Sequence, residues 1–238
     1  NTNLTCPVPT VLIDLDKARV QANISCSLPT TIAGIFSIKT VEIAETSTAS
    51  SNISKLDLAM MLDVSGSMSG QKLKDLKDAA NDAIDTLITA RTGDRVRIAF
   101  NTYSTAVNVG DYAKKVKGSN YNSKSPTRKC VTERDGISKF KDDAPSSGKY
   151  MEEKSYSTDG KYMSCPSSSL EPLTSNKSRL QKDIKDLKAD GWTAGHLGIA
   201  WAWYLISPEW DKIWPTASKP LGYKENNTIK AVILMTDG

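Results

Sequence analysis

Lys55 to Asp63, KLDLAMMLD, is a nearly continuous apolar run, the pattern of a central parallel strand buried on both faces. A turn through Ser65, Gly66 and Ser67 follows. From Gln71 to Ala90 the apolar residues Leu73, Leu76, Ala80, Ala83, Ile84, Leu87 and Ile88 recur at helical spacing, with Lys72, Lys74, Asp75, Lys77 and Asp78 largely on the other side. Gly93 ends that unit, and DRVRIAFNTY, Asp94 to Tyr103, reads as the next strand. A strand, helix and strand in this order predict a right-handed crossover and an α/β fold: a doubly wound, mostly parallel sheet flanked by helices.

Outward from this unit the signal varies. Thr105 to Tyr112 reads as a further, edge strand. Between about 114 and 176 the periodicity disappears and Ser, Lys, Asp, Gly and Pro dominate, which predicts a polar surface insertion, ordered only where its cysteines tie it down. Helical spacing returns at Leu180, Ile184 and Leu187, and again from Gly195 to Ile206. Ile229 to Met235, IKAVILM, is another buried strand, ending in Thr236-Asp237-Gly238. The first stretch, 1–54, differs in kind: Val20 to Cys26 and Thr40 to Glu45 alternate as half-buried antiparallel strands do, and Ser and Thr around 46 to 54 read as a linker. The expected organisation is a β-rich extension over 1–54 and a main domain over 55–238.

The 31 basic and 27 acidic residues nearly balance, and the lysines are scattered along helical faces, so a nucleic-acid surface is not expected. No run of about 18 apolar residues and no signal-peptide pattern occurs; a membrane anchor is expected only outside this chain. The four cysteines, Cys6, Cys26, Cys130 and Cys165, form no C-x-x-C pair, and with a single histidine, His196, a zinc site of ordinary Cys/His spacing cannot be assembled. Four buried thiols are one reading. The other is disulfides, for which proximity along the chain selects Cys6–Cys26 and Cys130–Cys165 among three pairings and an oxidising compartment follows.

Asp63, Ser65 and Ser67 stand at the carboxyl end of the first buried strand and Asp237 at the carboxyl end of the last. In an open α/β sheet those ends share one edge, where ligand sites form. Thr193, in the loop Gly191-Trp192-Thr193-Ala194-Gly195, can reach the same edge. An all-oxygen set without thiol or imidazole suits a hard cation such as Mg²⁺. The competing reading makes Ser65 and Ser67 helix caps and Asp237 the start of a turn.

DLAMMLDVSGSM, Thr193 and VILMTDG together resemble, in order and spacing, the D-x-S-x-S, T and D elements of the metal-ion-dependent adhesion site of von Willebrand factor A domains. The resemblance implies Ser65, Ser67 and Thr193 as direct ligands of Mg²⁺, Mn²⁺ or Ca²⁺, with Asp63 and Asp237 as supports, and an open position that takes an Asp or Glu from a protein partner. CVTERDG, PLTSNKSRLQKDI, DGWTAGHLGIAWAWYLISPEW and NTIKAVILMTDG are similar to TadG-like Flp-pilus assembly proteins of bacteria, over roughly 55–238. That implies a cell-envelope, periplasmic or extracellular adhesion module. The family's domain continues past the TDG loop, so the last part of the fold is expected to be missing here. A cytosolic chelatase-type subunit and a secreted adhesion or matrix protein are the alternatives, and cysteine oxidation state separates the first of them.

An enzyme is not expected. Gly66-Ser67-Met68-Ser69-Gly70 has the outline of a nucleophile elbow but places Met68 where G-x-S-x-G needs serine, and no phosphate-binding G-x-x-x-x-G-K-[ST] loop occurs. His196 reads as a packing or capping residue. Asn3, Asn23, Asn52, Asn176 and Asn226 open N-x-[ST] sequons; this Asn-, Ser- and Thr-rich composition yields about half that number by chance, so the excess carries little weight for a glycosylated secreted protein. The tryptophans from Trp192 to Trp214 are expected to pack the helix after Thr193 against the sheet rather than form a binding platform.

Overall fold

The computed structural model describes residues 4–14, 19–29, 39–50, 54–153 and 164–237. Two compact units divide the chain, Asn1–Ile53 and Ser54–Gly238. In the first, β1 (Thr10–Asp14), β2 (Arg19–Pro29) and β3 (Thr40–Ser50) form an antiparallel meander. Its pairing register places Val20, Ala22, Ile24, Cys26 and Leu28 of β2 on one face with Val11 and Ile13 of β1 and Val41 and Ile43 of β3. The disulfide Cys6–Cys26 and a bridge between Thr5 and Ser27 hold the leading segment to β2. The linker expected from 46 to 54 is corrected over 46–50. These residues extend β3 opposite Arg19 to Asn23, and the Thr46 hydroxyl donates to Asn23 Oδ1 at 2.9 Å. Ser and Thr satisfy a strand ladder as readily as a linker, and composition alone does not separate the two.

The second unit contains β4 (Lys55–Asp63), α1 (Gln71–Leu87), β5 (Val96–Tyr103), β6 (Val107–Asn108), α2 (Ala113–Lys117), β7 (Cys130–Val131), β8 (Glu171–Thr174), α3 (Lys177–Lys185), α4 (Gly195–Ile206) and β9 (Thr228–Met235). Its sheet runs β7-β6-β5-β4-β9, with β8 also pairing β5; the three long strands β5, β4 and β9 are parallel. Because side chains alternate along a strand, Leu58, Met60 and Leu62 of β4 pack with Leu76, Ala80 and Ile84 of α1 and Leu180 and Ile184 of α3. Ala59 and Met61 face the other way, toward Leu197, Trp201, Ala202 and Leu205 of α4. Helices therefore cover both faces, as the doubly wound reading requires. The buried residues of α1 recur every fourth position, and truncating one of them, Ile84→Ala, is expected to cost roughly 2–5 kcal/mol.

The polar stretch after β5 departs from expectation. Only Val107 and Asn108 form a strand within 105–112, and it lies inside the sheet between β5 and β7 rather than at its edge. The Asn108 side chain accepts the Gly110 N–H at 2.9 Å and turns the chain away from the ladder. The insertion also supplies β7, most of α2, and β8, which pairs with β5; the buried Lys117 ammonium at the end of α2 donates to the Arg128 and Cys130 carbonyls and pairs with Glu153, joining α2 to the β7 segment. The second disulfide, Cys130–Cys165, ties this region across a separation of 35 residues, and all four cysteines are thereby paired; a tie of that span stabilises by roughly 2–4 kcal/mol. Residues 154–163 of the insertion lie outside the described residues. No helix among the described residues is long and apolar enough to cross a membrane.

Trp201, Trp210 and Trp214 are buried in the core on the α4 side, with Trp201 meeting Trp210 edge to face at 5.5 Å. Trp192 and Trp203 are exposed, so the packing role expected of the tryptophans applies to three of the five.

Candidate metal centre

Asp63 ends β4 in register with Tyr103 at the end of β5, and Leu62 pairs with Met235 at the end of β9. Three parallel strands thus deliver Asp63, Tyr103 and Thr236 to one edge of the sheet. The Asp63 carboxylate is fully buried. Its Oδ1 accepts the Ser65 N–H at 2.8 Å; its Oδ2 accepts the Tyr103 hydroxyl at 2.9 Å and the Thr236 hydroxyl at 2.8 Å. Each of these donors is neutral, and no Lys or Arg among the described residues pairs with Asp63. The other buried carboxylates differ: Asp57 holds Arg97 and Lys230, and Glu171 holds Arg179. A buried carboxylate is costly unless a positive charge faces it.

The approach of α4 fixes Tyr103. A Cβ on Gly198 would lie 2.6 Å from the Tyr103 ring, so only glycine lets the helix seat against that ring and hold its hydroxyl on Asp63. Burial drives the Tyr103 phenol far above its ordinary range, with the Asp63 carboxylate adding to the shift. It remains a donor throughout the physiological range.

Beyond Asp63 the hydroxyls continue outward. Ser65 is buried, and its hydroxyl lies 3.0 Å from that of exposed Ser67, which donates to Asp237 Oδ1 at 3.0 Å. The Lys72 ammonium reaches Asp237 Oδ2 at 2.6 Å; this hydrogen bond, with the one from Ser67, holds the Asp237 carboxyl below its ordinary value. Neither serine hydroxyl caps a helix: the single turn Gly66–Met68 has no side-chain cap, and α1 starts from Gly70. The capping reading of Ser65 and Ser67 therefore does not describe them.

Thr193 arrives on a separate loop. Gly66 N–H donates to Gly191 O and Asp190 N–H to Val64 O, both at 2.8 Å, which splices this loop to the Ser65 turn. Trp192 N–H donates to the Thr105 hydroxyl at 3.0 Å, and Ala194 N–H to Ser104 O at 2.8 Å. The Thr193 side chain is exposed, and among the described residues no hydrogen bond joins its hydroxyl to Ser65, Ser67 or Asp237. Asp63, Ser65, Ser67 and Asp237 thus form one hydrogen-bonded cluster, and the loop that carries Thr193 flanks it through the backbone of Asp190 and Gly191.

No group of three or more His, Cys, Asp and Glu side chains suited to a metal occurs among the described residues, so any cation here depends on hydroxyl oxygens. The donor set fits a hard cation on chemistry: hydroxyls and the Asp237 carboxylate at the rim, with the buried Asp63 carboxylate, unpaired with any cation among the described residues, behind them. His196 is exposed on the first turn of α4, and that helix starts from Ala194 without a side-chain cap, which corrects its reading as a packing or capping residue. Sequence reasoning passed over Tyr103, Thr236 and Lys72. The first two carried a signal, since both stand at the carboxyl ends of strands that neighbour β4; Lys72 looked like any solvated helix lysine.

No family model matches the chain, and no curated protein matches it. Among solved structures, the chain is similar to the vWF domain of the type V pili tip protein Mfa5 from Porphyromonas gingivalis, with 16% identity and a TM-score of 0.42 over 78% of this chain and 38% of that one. It is also similar to the PilB minor pilin from Streptococcus sanguinis, with 10% identity and a TM-score of 0.38 over 100% of this chain and 47% of that one. A third is the pilus adhesin RrgA from Streptococcus pneumoniae, with 15% identity and a TM-score of 0.34 over 97% and 24%. The chain spans less than half the length of each of these three.

Proposed function

We propose that the Ser54–Gly238 unit is a divalent-cation-dependent protein-binding module that works outside the cytoplasm, a binding domain rather than an enzyme. Ser65, Ser67 and Thr193 would hold Mg²⁺ or Mn²⁺, with Asp63 and Asp237 as supports; bound there, the ion would supply an electron-poor centre able to take an Asp or Glu carboxylate from a partner. The observation that carries this reading is Asp63: fully buried, held by three neutral donors and facing no cation of the protein. A divalent ion at the adjoining hydroxyls would compensate that charge. Paired cysteines support an oxidising compartment over the cytosolic chelatase-type alternative. Association with a bacterial pilus or the cell envelope is what the sequence resemblance implies and is part of the same proposal.

The test is thermal denaturation with and without Mn²⁺ or Mg²⁺. Preferential binding to the native state should raise the melting temperature of the native protein and leave Ser65→Ala unmoved. No rise in the native protein, or equal rises in both, would sink the reading.

A further inference from the structure

We infer that Ser164 and the Cys130–Cys165 disulfide are a positioning clamp for the loop that carries Thr193; the consequence for the ion rests on the metal-centre reading, whereas the clamp itself does not. The segment after Ser164 is fastened along β5 and β6. Pro166 O accepts the Asn108 side-chain N–H and Ser168 O accepts the Thr102 hydroxyl, both at 2.8 Å, and Leu170 N–H donates to Asn108 O at 2.8 Å. Cys165 is bonded to Cys130, which is fully buried on β7. The covalent tie is thus the anchor immediately beside Ser164.

Ser164 in turn bears on the loop. Its hydroxyl donates to Asp190 Oδ2 at 2.9 Å. A Cβ on Gly191 would lie 2.6 Å from Ser164 Cβ and 3.0 Å from the Thr105 hydroxyl oxygen, so the Gly191 backbone occupies a slot between those two side chains. Its φ of 84° suits glycine alone. From this slot Gly191 O accepts the N–H of Gly66, the residue between Ser65 and Ser67, and Thr193 follows two positions later. A displacement of Ser164 therefore reaches both the serine turn and the threonine through one glycine. Without the disulfide, Ser164 is held to the end of β5 only by the long 3.5 Å hydrogen bond that its carbonyl accepts from the Ser104 hydroxyl, the next short contact is at Pro166, and the wall against Gly191 is free to open as a local unit.

Peptide-resolved hydrogen–deuterium exchange and Mn²⁺ titration on the full chain test this, using the Cys130→Ser/Cys165→Ser double variant and Ser164→Ala. In the double variant, amides of 190–194 should exchange at least about tenfold faster while those of β4 and β5 stay protected. If the loop is competent only about 10–30% of the time once released, the apparent Kd for Mn²⁺ rises roughly three- to tenfold. Ser164→Ala, which leaves the disulfide intact, should move both readouts the same way by less, and it decides the matter if the double variant does not fold. Unchanged exchange at 190–194 in the variants overturns the clamp. Faster exchange with unchanged Mn²⁺ affinity overturns its role toward the ion. If the native protein binds no Mn²⁺ yet the variants lose protection at 190–194, the metal-centre reading fails while the clamp stands.

Discussion

The Lys72 ammonium and the Ser67 hydroxyl grip opposite oxygens of one carboxylate, at 2.6 Å and 3.0 Å from Asp237. Lys72 stands on the first turn of α1, where no motif requires it, and it places a protein cation at the rim of a site proposed for a divalent one. The two cations compete for the same negative charge. Lys72→Met keeps the stem and removes the ammonium, and for an exposed charge a few ångströms away the gain in Mn²⁺ affinity should be about three- to tenfold. Isothermal titration at low and high salt checks this, with the gain shrinking as salt rises. Unchanged or weaker binding in Lys72→Met would show that Asp237 does not act on the ion.

Tyr103 ties β5 to the buried end of β4 through the Asp63 carboxylate. Tyr103→Phe keeps the ring against Gly198 and deletes one of three donors to a buried charge, so the fold should lose roughly 1.5–3 kcal/mol in urea denaturation. Saturating Mg²⁺ should recover part of that loss, because it compensates the same carboxylate by another route. A loss that is identical with and without Mg²⁺ would mean that Asp63 and the ion do not communicate.

Much of the fold was legible because its signals are local. The apolar run 55–63, the helical spacing from Gln71 and the run 229–235 each fix an element without help from elsewhere, and the two strand ends then bring Ser65, Ser67 and Asp237 to one edge. The insertion was not legible for the opposite reason. β7 and β8 contain two and four residues, too short to show a period, and they exist because β5 and β6 offer open backbone to pair with. Lys117 and Arg134 are buried in the same region among carbonyls and aromatic rings, against the usual expectation for charged residues. In the first unit, Thr and Ser concealed the end of β3. At the site, Thr193 was readable as a loop hydroxyl, but the Ser164 wall beside it comes from a distant part of the chain that only the fold brings near.

Glu171, at the start of β8, is pushed by burial from the ordinary 4.5 to about 7 despite its pair with Arg179. A carboxyl whose folded value is raised binds its proton more tightly in the native state. Its contribution to stability is therefore fully present below about pH 4.5 and is lost as pH rises through about 7. Glu171→Gln holds the neutral form at every pH. Relative to the native protein, the variant should gain on the order of 1–2 kcal/mol between pH 4.5 and pH 8, read as a melting-temperature difference that moves in the variant's favour as pH rises. Parallel curves across that range would show that Arg179 keeps Glu171 ionised throughout.

Thr193 decides whether the proposed ion is a staple or a docking point. Three hydroxyls and one or two carboxylates leave a six-coordinate ion short of partners unless water or an outside oxygen completes it, and the exposed position of Thr193 puts that opening on the protein's surface. Because Thr193 contributes no hydrogen bond to the Ser65–Ser67–Asp237 cluster, Thr193→Ala should leave folding within about 0.5 kcal/mol of the native protein while weakening carboxylate capture. The probe is an array of immobilised peptides bearing Asp or Glu, each beside its Asn or Gln counterpart, read in Mn²⁺ and in EDTA. Binding should require Mn²⁺, should fail on the amide counterparts, and should fall at least about tenfold for Thr193→Ala and for Ser65→Ala. Retention of acidic peptides in EDTA would place docking elsewhere on the surface. Equal retention of the amides in Mn²⁺ would leave the ion a structural role alone.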